Sequence, residues 1–216
     1  MEQSNNRIAI AISKGRITKA AQPLLEFAGI DPLENLQNSR NLVLDTRTPN
    51  VQLIVVRSED VPTYVRLGGA DLGIVGKDIL MEDKSISVYE LVDLGISRCQ
   101  LVLAGVKEPS ESLFHNRRKH LVATKYVNTA RSYFSSIGVY VDVMKLTGSV
   151  ELAPLRGIAD RIVDLSQTGE TLRSNGLEKI DTIAEVSARL IANRASMRLK
   201  DKAMKNIARH LSLIHI

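Results

Sequence analysis

The feature that most constrains the fold of this chain is the repeated alternation of short apolar runs with helical patterns. Residues 8–12 and 51–56 are nearly continuous apolar runs, typical of strands buried on both faces of a sheet. Between them, apolar residues from Ile17 to Ala28 recur at the spacing of an amphipathic helix, and Gly29 is suited to end it. This alternation predicts an α/β protein with mostly parallel sheets.

The same pattern continues along the rest of the chain. Further strands are predicted at 72–75, 101–106, 120–123, 139–144, 161–165 and 182–191, and helices at about 60–68, 127–137, 149–158, 169–175 and 196–211. The polar stretch 107–119 combines Pro, Ser and Arg residues, and we expect it to be an exposed loop.

The composition excludes several classes of protein. Hydrophobic residues make up 44% of the chain, too many for intrinsic disorder, and the longest apolar runs are five or six residues. A membrane-spanning helix needs about 20. The single cysteine, Cys99, excludes internal disulfides, and the four histidines do not have the spacing of a zinc hydrolase. No secretory signal is visible, so we expect a cytoplasmic protein.

The net charge of +5 is concentrated near the C-terminus. From residue 189 onward there are seven basic residues and one acidic residue, whereas the preceding 188 residues carry a net charge of −1. The helix predicted at 196–211 alternates these cations with apolar residues. Its apolar side could dock on the rest of the chain or on a partner subunit; alternatively, the cations are the solvated face of a packed helix. The pI of 9.4 therefore does not indicate a nucleic-acid surface.

The most informative motif follows an apolar strand and precedes a helix. It begins at Asp164 and reaches the turn Thr168-Gly169-Glu170-Thr171. Such a turn presents backbone N–H groups, two hydroxyls and the positive end of a helix dipole, which together form a phosphate cradle. The carboxylate at its start suits ribose hydroxyls or a hydrated Mg²⁺. The alternative interpretation is a plain helix cap by Thr168.

A second turn, Ser13-Lys14-Gly15-Arg16, joins the first strand to the first helix. Cations at the start of a helix are disfavoured by its dipole unless an anion is present. The turn is therefore a candidate polyphosphate site, or else a capped helix with two solvated cations.

A third turn, Gly76-Lys77-Asp78, also follows a buried strand, at the edge where open α/β sheets bind ligands. Glu151 and Asp164 form a possible carboxylate pair, or are charges at the starts of helices. Three converging turns would make one cleft for a phosphate-rich ligand. The chain contains neither a Walker A motif nor a dinucleotide-binding fingerprint.

In combination, these motifs resemble the short form of the ATP phosphoribosyltransferase family. Enzymes of this family catalyse the first step of histidine biosynthesis. The resembling blocks run in order from about residue 7 to about residue 195. They are 13–16, Arg57 with 60–65, 69–78, 123–126, 148–154, Asp164 and 168–172.

The resemblance implies a two-lobed fold similar to type II periplasmic binding proteins, with the active site between the lobes. Lobe I would comprise 1–95 and 178–216, and lobe II, which binds 5-phosphoribosyl 1-diphosphate (PRPP), would comprise 96–177. The implied activity is that of a glycosyltransferase. Adenine N1 of ATP attacks the anomeric carbon of PRPP, and pyrophosphate leaves.

The same resemblance implies roles for particular residues. Arg16 and Arg40 would be catalytic, because bidentate and permanently charged donors stabilise the negative charge that grows on pyrophosphate. The 5-phosphate would lie in the turn from Asp164 to Thr171, with Glu151 near the ribose or the metal. The implied substrate-binding residues are Ser13, Lys14, Gly15, Arg57, Asp60, Gly76, Lys77, Asp78, Lys125, Tyr126, Glu151, Asp164, Thr168, Gly169, Glu170 and Thr171. Mg²⁺ would arrive bound to PRPP, so no protein ligands for the metal are expected.

The resemblance also implies partners. We expect a homodimer and a hetero-oligomer with a regulatory subunit that resembles histidyl-tRNA synthetase, and we expect no nucleic acid and no membrane. Ser166-Gln167 departs from the more apolar and often acidic pair of the family, which leaves a Mg²⁺ contact at 167 open. Asp164 is followed by Leu165, whereas ordinary purine and pyrimidine phosphoribosyltransferases have two adjacent acids there.

Two other classes compete with a transferase. A solute-binding protein would share the fold without the chemistry, but such proteins normally act outside the cytoplasm and carry a signal peptide. A nucleic-acid binder is suggested by the pI alone.

Overall fold

The computed structural model describes residues 7–85, 87–106 and 120–212. The strands are β1 (Ile8–Ile12), β2 (Val43–Asp45), β3 (Val51–Val55), β4 (Leu72–Gly76), β5 (Tyr89–Asp93), β6 (Cys99–Val106), β7 (His120–Thr124), β8 (Val141–Lys145), β9 (Arg161–Ser166), β10 (Leu177–Val186) and β11 (Ala188–Ala192). The helices are α1 (Arg16–Phe27), α2 (Val61–Arg66), α3 (Lys77–Glu82), α4 (Val127–Ser136), α5 (Leu152–Leu155), α6 (Glu170–Ser174), α7 (Arg194–Leu199) and α8 (Asp201–Ser212). The predicted loop 107–119 lies outside the described residues.

The chain divides into two compact units. Unit 1 contains the described residues up to Leu80, those from Ser85 to Ser97 and those from Ser187 onward, and unit 2 contains Met81–Lys84 and Arg98–Val186. The sequence placed the return of the chain at residue 178, nine residues too early. The reason is β10, which pairs along its whole length with β6 and so belongs to the sheet of unit 2.

The sheet of unit 1 has the order β2-β3-β1-β4-β11-β5. Strand β1 runs parallel to β3 and β4, whereas the β2–β3, β4–β11 and β11–β5 pairs are antiparallel. Ile10 of β1 packs with the residues of α1 and α8, and Ala11 packs with Val61 and Val65 of α2. Both faces of this sheet are therefore covered, as the apolar runs predicted.

The sheet of unit 2 has the order β10-β6-β9-β7-β8. Here β7 is parallel to β8 and β9, while β6 is antiparallel to both of its neighbours. The α/β class is confirmed, but both sheets are mixed and not mostly parallel. Apart from β2–β3, the antiparallel pairs involve β6, β10 and β11, the strands next to the points where the chain passes from one unit to the other.

The predicted strand 182–191 is two strands, one in each sheet, which meet at Ser187. The segment mixes polar and apolar residues throughout and contains no Gly or Pro, so its pattern could not reveal the change of sheet. Strands β2 and β5 were missed because one is three residues long and the other has no fully buried residue.

Helix α1 follows the predicted pattern. Ala21, Leu24 and Leu25 are buried on one side and join the core of unit 1. The chain leaves the helix at Gly29 with φ of +69°, which confirms the predicted stop.

The basic C-terminal segment forms two helices, α7 and α8, where one was predicted. Met204, Ile207 and Leu211 of α8 are buried in the core of unit 1, so this helix docks on its own unit. The cations on the other side of α8 remain exposed; they are Lys202, Lys205 and Arg209. Among the residues that the structure describes, no helix is long and apolar enough to cross a membrane.

Candidate active site

Two of the three predicted turns, together with the turn after β3 that carries Arg57 and Asp60, lie side by side at one edge of the unit 1 sheet, whereas the third predicted turn, from Asp164 to Thr171, belongs to unit 2. Strands β1, β3 and β4 are parallel neighbours, and Ile12 near the end of β1 is opposite Val55 and Ile74. The turns that follow these strands, at 13–15, 57–60 and 76–78, therefore start from the same edge. This is the edge at which α/β sheets bind ligands.

The turn after β1 has a buried base and an exposed, cationic rim. Ser13 is buried, and its hydroxyl accepts a hydrogen bond of 2.8 Å from the hydroxyl of Ser58 in the neighbouring turn. Gly15 has φ of +113° and ψ of −143°, a conformation that essentially only glycine adopts. Lys14 and Arg16 are exposed on either side of it, and the first turn of α1 contains no acidic residue.

A groove of about 640 Å³ opens over this turn and the one after β3. It is lined by four of the predicted substrate-binding residues, Ser13, Lys14, Arg57 and Asp60, and by Tyr64. Its volume falls within the range of small-molecule sites. The structure thus brings together residues that are more than 40 positions apart in the sequence.

The turn after β4 is constrained by an internal carboxylate. Asp78 is buried and folds back over Gly76, so that a Cβ at position 76 would collide with Asp78 Oδ1. Lys77 Nζ lies 2.6 Å from Glu90 of β5, which also lies 2.8 Å from Nε of Arg189 in β11. In this structure Lys77 is therefore paired with a carboxylate of its own unit.

A second set of turns lies at the carboxyl edge of the parallel strands in unit 2. Thr124 at the end of β7 donates a 2.6 Å hydrogen bond to the carbonyl of Val163 in β9 and accepts a 2.9 Å bond from the backbone N–H of Tyr126. The Tyr126 side chain is buried, and Lys125 Nζ lies 4.8 Å from the centre of its ring. This cation–π contact orients Lys125 within the turn.

The N-terminus of α4, next to this turn, is capped by a residue that the sequence did not reveal. The Glu82 carboxylate accepts hydrogen bonds from the backbone N–H groups of Asn128 and Thr129, at 2.9 and 3.0 Å, and from the Thr129 hydroxyl at 3.1 Å. A carboxylate neutralises the positive end of the helix dipole. The start of α4 is thus already occupied by an anion of the protein.

The Thr-Gly-x-Thr turn of unit 2 has the backbone that a phosphate cradle requires. Gly169 has φ of +73°, and α6 begins directly after it. Thr168, Glu170 and Thr171 are exposed, and the Thr168 hydroxyl accepts a long bond of 3.3 Å from the N–H of Glu170. This is a weak cap, so the Thr168 hydroxyl remains available, whereas the Thr168 carbonyl accepts a 3.0 Å bond from the Arg173 guanidinium.

The two carboxylates of unit 2 are placed differently from the expectation. Asp164 lies within β9, which continues to Ser166, and its carboxylate accepts a 2.8 Å bond from the N–H of Leu165. Glu151 is half-buried at the start of α5. The pairing of Glu151 with Asp164 stays a prediction.

The described ranges contain no cluster of three or more His, Cys, Asp or Glu side chains able to hold a metal ion. Arg40 is exposed on the loop before β2, which is bonded to the end of β3 through Leu42 and Val55 and to Lys14 through a 2.5 Å bond to the carbonyl of Ser39. Sequence reasoning missed Glu82, Glu90 and Arg189, because each contacts the predicted site from a distant element and none belongs to a local motif.

Comparison with known proteins agrees with this geometry. The family model described as ATP phosphoribosyltransferase matches residues 57–213. An ATP phosphoribosyltransferase of Chromohalobacter salexigens is 48% identical over 209 residues, which is 96% of this chain and 94% of the relative.

Solved structures give the same result. The ATP phosphoribosyl transferase (HisG:HisZ) complex from Thermotoga maritima contains a chain that is 31% identical, with a TM-score of 0.80 over 94% of this chain and 95% of that chain. The periplasmic aliphatic sulphonate binding protein SsuA of Escherichia coli is 14% identical, with a TM-score of 0.59 over 98% of this chain and 75% of its own, a likeness of fold alone. It confirms the predicted periplasmic-binding-protein-like fold, and the matches together show that the chain belongs to the ATP phosphoribosyltransferase family.

Proposed function

We propose that this chain joins adenine N1 of ATP to the anomeric carbon of PRPP and releases pyrophosphate, the first step of histidine biosynthesis. The observation that carries the proposal is the cationic turn after β1. Lys14 and Arg57 line one groove, and Arg16 is two residues after Lys14 in the same turn. Lys14 also donates a hydrogen bond to the carbonyl of Ser39, the residue before Arg40. A polyphosphate is the ligand that such a set of cations favours.

The chemistry requires little more than positioning and charge. Adenine N1 already has a lone pair, so its attack needs no general base. As the anomeric C–O bond breaks, the sugar becomes oxocarbenium-like and negative charge grows on pyrophosphate. Arg16 and Arg40 act on this charge, and fixed donors of this kind lower the barrier more than they strengthen substrate binding.

In this proposal unit 2 supplies mostly uncharged donors, together with the cation Lys125. The turn from Thr168 to Thr171 offers backbone N–H groups and two exposed hydroxyls, which suit the 5-phosphate of PRPP. Lys125 supports the same substrate from the neighbouring turn, where Tyr126 holds it. Glu151 and Asp164 act near the ribose or its metal.

In this proposal Mg²⁺ enters as part of the substrate, bound to the diphosphate of PRPP. Mg²⁺ keeps several water ligands and is commonly held by substrate phosphates together with one or two carboxylates. The half-buried carboxylates Glu151 and Asp164 suit contacts through such waters. No cage of protein ligands is required.

The proposal extends to partners and location. The Thermotoga maritima structure is a HisG:HisZ complex, which supports a hetero-oligomer of this chain with a regulatory subunit. We further propose that the chain forms a homodimer and acts in the cytoplasm, where ATP and PRPP are available.

The decisive experiment is to mix the chain with ATP, PRPP and Mg²⁺ and to measure pyrophosphate, with and without the regulatory subunit. We expect pyrophosphate in amounts equal to the phosphoribosyl-ATP formed, only when both substrates are present. No product under either condition would contradict the transferase. Tight binding of an anionic ligand without turnover would instead favour a solute-binding protein.

A further inference from the structure

We infer that Glu34 is a positioning residue that fixes Arg40 for the transfer reaction. This inference rests on the proposed function, in which Arg40 stabilises the departing pyrophosphate. It concerns the loop from residue 34 to residue 42, here called the Arg40 loop, which lies wholly within unit 1.

The Glu34 carboxylate holds the residues on both sides of Arg40. The Ser39 hydroxyl donates a 2.7 Å hydrogen bond to Glu34 Oε2, and the Asn41 side-chain amide donates to both carboxylate oxygens at 3.0 Å. Hydrogen bonds to an ionised acceptor are roughly twice as strong as those between neutral groups. Because Ser39 and Asn41 are both held, the backbone of Arg40 cannot turn without breaking these bonds.

Further hydrogen bonds stiffen the middle of the Arg40 loop. The backbone N–H of Asn41 donates to Ser39 Oγ at 3.0 Å, and the backbone N–H of Ser39 donates to the carbonyl of Asn35 at 2.9 Å. Lys14 Nζ donates to the Ser39 carbonyl at 2.5 Å, which joins the loop to the cationic turn after β1. This bond links the residue next to Arg40 with the turn that carries Lys14 and Arg16.

The two ends of the loop are anchored to the sheet. The N–H of Leu33 donates to the carbonyl of Asp45 in β2 at 2.9 Å, and the N–H of Val55 in β3 donates to the carbonyl of Leu42 at 2.8 Å. With its ends fixed, the conformation between them depends on the bonds within the loop. The side chains of Ser39 and Asn41 both donate to Glu34, so this carboxylate is their shared acceptor.

The Arg40 side chain itself is left available. It is exposed, and across residues 7–85, 87–106 and 120–212 it forms no hydrogen bond or ion pair. Glu34, six positions away, is bonded to Ser39 and Asn41 and not to the guanidinium. The carboxylate thus fixes the backbone while the five donors of Arg40 remain free for a phosphate ligand.

A fixed backbone matters for a group that acts in the transition state. A displacement of about 1 Å caused by a remote substitution can lower a rate about 100-fold. We therefore expect Glu34→Ala to lower kcat about 10- to 100-fold, with KM for both substrates changed less than about 3-fold. The melting temperature should shift by no more than about 2 °C, because the loop is on the surface.

The matched control is Glu26→Ala. Glu26 is an exposed carboxylate of the same unit that accepts one side-chain amide bond, 2.9 Å from Gln22, and it lies outside the Arg40 loop. This variant should retain the wild-type kcat. If Glu26→Ala slowed the reaction as much as Glu34→Ala, a general effect of surface charge would explain both and the inference would be overturned.

Two further comparisons separate positioning from other roles. If Glu34 acts through Arg40, the double variant Glu34→Ala/Arg40→Ala should be no slower than Arg40→Ala alone, and Ser39→Ala and Asn41→Ala should each reproduce part of the loss. Additive losses, or wild-type rates for both partner variants, would overturn the inference while leaving the transferase proposal intact. A wild-type chain that releases no pyrophosphate would overturn the proposed function itself.

Discussion

The two turns proposed to bind phosphate differ in the groups that they offer to an anion. The turn after β1 in unit 1 carries Lys14 and Arg16 and rests on buried Ser13, and it opens a helix of 12 residues. The turn after β9 in unit 2 carries two exposed threonines and the acidic Glu170, and it opens a helix of five residues. The turn of unit 1 therefore carries two cations of its own, whereas the turn of unit 2 offers mainly backbone groups and hydroxyls, with Arg173 of α6 as its adjacent cation.

This difference corresponds to two tasks in one reaction. The 5-phosphate keeps the same charge throughout, so hydrogen bonds of fixed geometry are sufficient to hold it. The pyrophosphate gains charge as the bond breaks, and only groups that respond to that gain can accelerate the step. We expect substitutions in the two turns to affect different kinetic constants.

The largest effect is expected for Arg16→Ala. Loss of one donor to the developing charge typically costs about 3 to 4 kcal/mol, so kcat should fall about 10²- to 10³-fold with little change in KM. Lys19→Ala is the matched control, since Lys19 is an exposed cation one turn further along α1. Steady-state pyrophosphate release measures both. An unchanged kcat for Arg16→Ala would remove this residue from the catalytic set.

The next effect compares the glycines of the two turns. Gly15 has φ of +113° and ψ of −143°, whereas Gly169, with φ of +73°, has the left-handed helical conformation. Gly15→Ala should lower the free energy of unfolding by about 2 to 3 kcal/mol and Gly169→Ala by about 1 to 2 kcal/mol. Chemical denaturation measures the difference. Equal losses would show that backbone strain does not distinguish the turns.

A smaller effect is expected for Thr168→Ala. Losing one hydroxyl donor to a phosphate should cost about 1 kcal/mol and raise KM for PRPP about 5-fold, with kcat nearly unchanged. Thr182→Ala, at a half-buried threonine on β10 of the same unit, is the control. If kcat fell with KM constant, the proposed role of this turn in binding would be wrong.

The smallest effect concerns the alkaline stability of unit 2. Burial, together with the hydrogen bond to Asp181, raises the pKa of Tyr133 to about 12. The folded state thus retains a proton that the unfolded state loses near pH 10, so this contribution is present below pH 10 and is lost as the pH rises to about 12. Thermal melts of Tyr133→Phe should lack this dependence. A slope equal to that of the wild type would contradict it.

The same pair has an acidic counterpart. The hydrogen bond from Tyr133 lowers the pKa of Asp181, so its contribution is present above the ordinary pKa of an aspartate and is lost as the pH falls through the lowered value. Tyr140→Phe, the same change at an exposed tyrosine of unit 2, is the control for both ends of the pH range.

Local motifs explain what the sequence could predict. The turns at 13–16 and 168–171 each combine a buried strand, a glycine and a helix start within a few residues, and both are found where expected, whereas helix α3, which begins at Lys77, was not predicted. Their ligand contacts remain predictions. The carboxylates Glu34, Glu82 and Glu90 were not predicted, because an isolated glutamate gives no sign of the backbone or the cation that the fold brings to it.

The boundary between the units was harder to predict for a related reason. Residues 182–191 contain no Gly or Pro, yet Val186 ends a strand of one sheet and Ala188 starts a strand of the other. Nothing in the local pattern marks this change. Pairing of β10 with β6 decides it, and that pairing joins residues more than 70 positions apart.

The division of tasks between the turns is tested most directly by the dissociation constant of PRPP with Mg²⁺, measured calorimetrically for the wild type, Arg16→Ala and Gly169→Ala. We predict that Gly169→Ala weakens binding about 5- to 10-fold, corresponding to about 1 to 1.4 kcal/mol, while Arg16→Ala changes it less than about 3-fold. Strong loss of binding in Arg16→Ala with wild-type affinity in Gly169→Ala would contradict the account.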